Sequence, residues 1–134
     1  MISDKLKKIF LISIIVFIAH GIEEFLTEFT KIDFSYRYIM NLLTPLGFDL
    51  AVGWTFQVLL WLLLIVAYLL MINKRSITLA LLTIWGLVFI FEFHHIYKTL
   101  TIGSYYPGLI TALIFVGIGV WFWRELLKEF GVRR

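Results

Sequence analysis

His20-Gly21-Ile22-Glu23-Glu24 decides how the rest of the chain is read. It follows the apolar run Ile9 to Ala19, and the helical pattern continues beyond it through Phe25, Leu26 and Phe29. On a helix Glu23 and Glu24 stand three and four residues after His20, so the three side chains share one face. A segment this apolar reads as a membrane span, and an ionisable group left unpaired at membrane depth costs a few kcal/mol or more. That face must therefore look into protein.

Composition agrees. Of 134 residues, 61% are hydrophobic and 18% aromatic, against roughly 45–50% apolar residues in a soluble domain. The chain reads as a single integral membrane domain over residues 1–134. A formal net charge of +3 with no basic patch argues against nucleic acid as a partner. The absence of cysteine removes disulfides and thiolate ligands, so any metal must be held by histidines and carboxylates. A basic start ahead of an apolar stretch also resembles a signal peptide. The unbroken pattern through Phe29 favours a spanning helix.

Four spans are expected, at about 8–29, 45–72, 76–100 and 107–124. Thr44-Pro45 supplies an N-cap and first-turn pair for the second. Between the first two spans, Phe34, Tyr38, Ile39, Leu42 and Leu43 recur at helical spacing, with Arg37 and Asn41 opposite. This predicts a short interfacial helix that partly covers the polar residues. The expected fold is all-α: a four-transmembrane-helix bundle with that helix between the first and second spans.

Lys5, Lys7, Lys8, Lys74, Arg75, Arg124, Lys128, Arg133 and Arg134 fall on one side of such a bundle, and only Lys31, Arg37 and Lys98 on the other. The termini are then cytoplasmic in a multi-pass protein of the cell membrane. Counted from the cytoplasmic ends at 1.5 Å per residue, His20 lies about 18 Å up, Glu24 and Glu92 about 24 Å, and His95 about 28 Å. Gln57 and Thr111 reach about 24 and 20 Å. The polar layer therefore lies toward the outer side. Glu28, Arg37 and Lys98 read as interfacial charges.

Glu92 and His95 share a face of the third span, and His94 points about 100° away from His95. Glu-x-x-His opposite His-x-x-Glu-Glu is similar to the carboxylate and imidazole sites of di-metal bundles. The first helix reverses the order, however, and the second and fourth spans offer Asp49, Gln57 and tyrosines but no glutamate. Candidate catalytic residues are His20, Glu23, Glu24, Glu92 and His95. Candidate metal ligands are His20, Glu24, Glu92 and His95, for Zn, Fe or Mn. Gln57, His94, Tyr105 and Tyr106 are candidate substrate contacts. The structural alternative is polar glue between helices, a need that single Ser, Thr or Asn residues meet more cheaply than three ionisable groups.

These residues resemble a family of small membrane proteins named for an HXXEE motif. His20-Gly21-Ile22-Glu23-Glu24 matches the name motif, and Tyr105-Tyr106-Pro107-Gly108 matches the family's YXPG motif. The family's NXXXH motif has no asparagine in this chain. Ile90 and Phe91 stand four residues before His94 and His95, with Glu92 close by. The resemblance, from about 15 to 120, implies one polar site assembled from separate helices and brings no reaction with it.

Two functions follow from the residues. One is a membrane-embedded enzyme acting on a lipid or another amphiphilic small molecule, by metal activation or by acid and base catalysis without a metal. The other is a protein that binds or transports a cation or protons. Transport needs polar groups along a whole path. The cytoplasmic halves, such as Ile9 to Ala19 and Leu81 to Phe91, are almost wholly apolar, which favours the enzyme.

Overall fold

The computed structural model describes residues 2–47, 50–70 and 75–131. Asp49, Lys74, Arg133, Arg134 and the expected end of the second span lie outside them. Every regular element among the described residues is helical: α1 (Asp4–Leu26), α2 (Phe29–Ile32), α3 (Phe34–Leu43), a 3₁₀ turn (Thr44–Leu46), α4 (Leu50–Leu70), α5 (Arg75–Phe91), α6 (Phe93–Ile102) and α7 (Leu109–Glu129).

Local chemistry sets the boundaries. Ser3 caps α1 by accepting from the Leu6 N–H at 3.4 Å. The helix closes where Thr27 turns both its N–H and its hydroxyl onto the Glu23 carbonyl, and Glu28 then adopts a left-handed φ of 57°. Asp33 caps α3 through the Tyr36 N–H at 2.6 Å. Thr44-Pro45 does not open α4. It makes the 3₁₀ turn, which ends at Gly47 with φ 85°, and α4 starts at Leu50. Similarly, α7 starts at Leu109, because Gly108 takes φ 84° ahead of it.

Three helical stretches are long and apolar enough to cross a membrane: Asp4–Leu26, Ser76–Ile102, in which α5 and α6 run on through Glu92, and Leu109–Glu129. A shorter apolar stretch, Gly53–Leu69, lies in α4. Large apolar side chains such as Ile15, Ile84, Leu113 and Val120 point outward, where only a lipid-like surround spares them contact with water.

Helix α7 packs against α1, α5 and α6, while α4 packs against α1. Leu6, Ile9, Phe10 and Ile14 of α1 meet Leu82, Trp85 and Phe89 of α5 and Phe115, Phe122 and Leu126 of α7. A Cβ at Gly86 would lie 2.6 Å from Trp123, and one at Gly119 would lie 2.9 Å from Phe89. Each helix thus gives up a side chain to admit the other's aromatic ring. Polar groups in this core are matched: Ser13 accepts from Trp85 Nε1 at 2.8 Å and donates to the Phe10 carbonyl. The packed apolar half leaves the polar residues grouped at the other end of the bundle.

Candidate metal centre

The two polar stretches converge. His20 from α1, Glu92 from the α5–α6 junction and His95 from α6 are all buried, and one donor atom from each lies within 4.8 Å of the other two. His20 Nε2 stands 3.0 Å from Glu92 Oε2 and 3.5 Å from Glu24 Oε1. His95 Nε2 stands 3.6 Å from the same Glu92 oxygen and 3.5 Å from the same Glu24 oxygen. The two imidazole rings meet edge to face at 4.8 Å.

The remaining ring nitrogens fix the tautomers. His95 Nδ1 lies 2.6 Å from the Pro107 carbonyl, which only accepts, so the proton sits on Nδ1. His20 Nδ1 lies 2.6 Å from Thr111 Oγ1, and that hydroxyl donates to Glu23 Oε2 at 2.6 Å. His20 Nδ1 is therefore also the donor. With both imidazoles neutral, each turns a bare Nε2 toward two carboxylate oxygens; a protonated His20 would instead donate from Nε2 to Glu92 Oε2 at 3.0 Å. Glu92 Oε2 is buried without a hydrogen-bond partner, although His20 Nε2 is 3.0 Å away.

His20, Glu92 and His95 form a group that could hold a metal ion, with Glu24 beside it. Two ligands bonded to one ion at 2.0–2.2 Å with a tetrahedral angle lie about 3.3–3.6 Å apart. Three of the four imidazole–carboxylate separations are 3.5–3.6 Å and the fourth is 3.0 Å, while the donor atoms of His20, Glu92 and His95 span up to 4.8 Å, so the two histidines would have to draw together to share one ion. His and carboxylate donors without thiolate suit Zn, Fe or Mn. Hydrogen bonds from the far nitrogen of each histidine are the usual support of such ligands.

Glu23 stands apart from its neighbours. Its carboxylate accepts from the Ile110 and Thr111 N–H groups, the Thr111 hydroxyl and the Tyr105 phenol, at 3.1, 2.9, 2.6 and 2.5 Å. It thereby caps the N-terminus of α7 from another helix, and its negative charge suits that end. Loss of water around the Tyr105 phenol, and then its bond to the Glu23 carboxylate, push its pKa up to about 12. Gly108 completes the fit, because a Cβ there would lie 2.7 Å from His20 Cε1 and 2.8 Å from His95 Nδ1. The two motifs interlock: one presents His20, Glu23 and Glu24, and the other answers with Tyr105, the Pro107 carbonyl and the bare Gly108.

His94 turns away toward Asp33, with Nε2 3.3 Å from Oδ2, an oxygen that also accepts from the Tyr106 phenol. Burial alone would raise the Asp33 pKa, but the Tyr106 phenol, the Tyr36 N–H and His94 together hold it below the ordinary value. Tyr106 is pushed up by burial and by this carboxylate. Phe29 closes over His95 and Tyr106, with ring centroids 5.6 and 6.1 Å away. Asp33 escaped the sequence reading. Its only signal was a capping position ahead of Phe34. Gln57 lies on α4 against Gly21, with its Nε2 3.5 Å from where a Cβ would sit.

Membrane-length apolar helices around a buried histidine and carboxylate cluster define the class. Over residues 11–122 the chain matches the family described as "Protein of unknown function with HXXEE motif", and it belongs to that family. No curated protein and no solved structure matches it significantly.

Proposed function

We propose that the protein is a membrane-embedded enzyme that acts on a lipid or similar amphiphile, with His20, Glu24, Glu92 and His95 holding a divalent cation. The observation behind this reading is the inward set of acceptor atoms with Glu92 Oε2 left unpartnered. A cation bound there would supply Lewis-acid polarisation of an ester or phosphoryl oxygen. Glu24, with 20% of its side chain exposed against 9% for Glu92, is the carboxylate an incoming substrate meets first. With Oε1 turned toward the histidines and the cation, Oε2 is the oxygen left to accept and return the reaction proton. Glu23, Thr111 and the Pro107 carbonyl keep both histidines in one tautomer. Asp33, His94 and Tyr106 form the outer wall that orients the substrate, and Gln57 borders the site from α4.

In this reading α1, α4, the α5–α6 pair and α7 are four spans. Helix α3, whose Phe34, Tyr38, Ile39 and Leu42 are all exposed, lies in the outer interface. The distribution of lysine and arginine makes the termini cytoplasmic. A transport pathway is disfavoured by the apolar half, where the polar pair Ser13 and Trp85 is already matched.

The test is turnover. The detergent-purified chain is incubated with mixed lipid vesicles, with and without chelator, and the lipids are read by mass spectrometry. The expected result is a lipid product that is lost with chelator and lost in Glu24→Gln. Product formation indifferent to both would overturn the reading.

A further inference from the structure

Along α5 and α7, reaching Phe93 at the start of α6, runs a groove of about 1020 Å³ whose far end, at Lys128, shares Glu125 with Lys5. Phe89, Phe93, Val116 and Trp123 are among its walls, and Arg124 and Lys128 close one end. The walls are held in place. Trp123 donates through Nε1 to the Gly86 carbonyl at 3.0 Å, and Phe89 is seated on Gly119. The rise along α7 from Val116 to Lys128 is about 18 Å, close to the roughly 15 Å of one leaflet's hydrocarbon. The groove therefore has the depth of a single lipid tail.

Its charged end is unevenly compensated. Glu125 Oε1 serves both Lys128 and Lys5, at 2.8 and 2.9 Å. Glu129 accepts from the Ser3 N–H at 2.8 Å. The exposed Arg124 guanidinium has no partner among the described residues. An uncompensated guanidinium beside a lysine at the membrane surface is suited to a phosphate. A tail-length apolar groove with an anion site at its surface end matches one molecule of anionic phospholipid.

We propose that this groove binds an anionic phospholipid from the leaflet on the side of the termini, with one acyl chain between α5 and α7 and the phosphate on Arg124 and Lys128. The proposal rests on helices that cross the membrane and not on the histidine and carboxylate cluster, so a failed metal assay leaves it standing.

Native mass spectrometry of the full chain in mild detergent tests it, with phosphatidylglycerol and phosphatidylcholine of equal chain length offered together. The wild-type protein should retain the anionic lipid preferentially. The double variant Arg124→Gln, Lys128→Gln should lose about thirtyfold in that retention, while Lys7→Gln, Lys8→Gln, which removes as many charges nearby, should stay within about twofold. Val116→Trp fills the apolar end with the charges intact and should also lose the lipid, with helicity checked by circular dichroism. Equal retention of the two lipids by the wild type would overturn the proposal. An equal loss in the Lys7 and Lys8 variant, or undiminished binding in folded Val116→Trp, would do the same.

Discussion

Replacing Gly108 with alanine should cost the protein both stability and metal affinity, and two other glycines separate the causes. The φ of 84° at Gly108 is left-handed, which an L side chain adopts at a cost of about 1–2 kcal/mol. The new Cβ would also lie 2.7 Å from His20 Cε1 and 2.8 Å from His95 Nδ1. These are buried rings with little room to retreat. Moving His95 breaks its bond to the Pro107 carbonyl, leaving a buried polar group unsatisfied at a further cost of about 1–3 kcal/mol. Disturbing such supporting bonds typically lowers metal affinity about 10–100-fold. Gly103, with φ 71° and nothing within 4 Å of a Cβ, carries the strain without the clash. Gly117, inside α7 and equally open, carries neither. Metal competition against a chelator, followed by inductively coupled plasma mass spectrometry, should rank Gly108→Ala far below Gly103→Ala, with Gly117→Ala at the wild-type level. If Gly108→Ala binds metal as tightly as Gly103→Ala, the glycine does not serve the histidines and the reasoning fails.

Glu23→Ala strips three hydrogen bonds from the start of α7 and a fourth from Tyr105 and should destabilise the bundle by about 2–4 kcal/mol; a neutral result in a detergent unfolding titration would contradict the capping role. Asp33 titrates below its ordinary value of 3.8 when folded, so it contributes stability above that pH and loses the contribution as pH falls through its lower native value. In Asp33→Asn this acid-labile increment should vanish from the pH dependence of unfolding, and an unchanged profile would remove Asp33 from the network. A reporter fused after Arg134 should lie in the cytoplasm; an external reporter would reverse the orientation.

The helical class and the convergence of the two polar stretches were legible in the sequence because both follow from periodicity and from the cost of unpaired charge in lipid. The division of labour within them was not. Glu23 and Glu24 are adjacent carboxylates of one motif, yet one caps α7 and the other faces the histidines, a difference set by a helix more than eighty residues away. Sequence alone left His94 and His95 open. The structure turns His95 inward and His94 to Asp33, because consecutive helical positions differ by about 100°. Thr44-Pro45 satisfies every local rule for a helix start, but the left-handed Gly47 ends the turn before α4 can begin.

The most direct test of the central claim is metal content after purification in metal-supplemented buffer. About one divalent ion should accompany each wild-type chain and survive desalting, and His20→Ala, His95→Ala and Glu92→Ala should each lose it while staying helical and membrane-inserted. A wild-type protein that carries no stoichiometric ion under these conditions, or variants that keep it, would contradict the account.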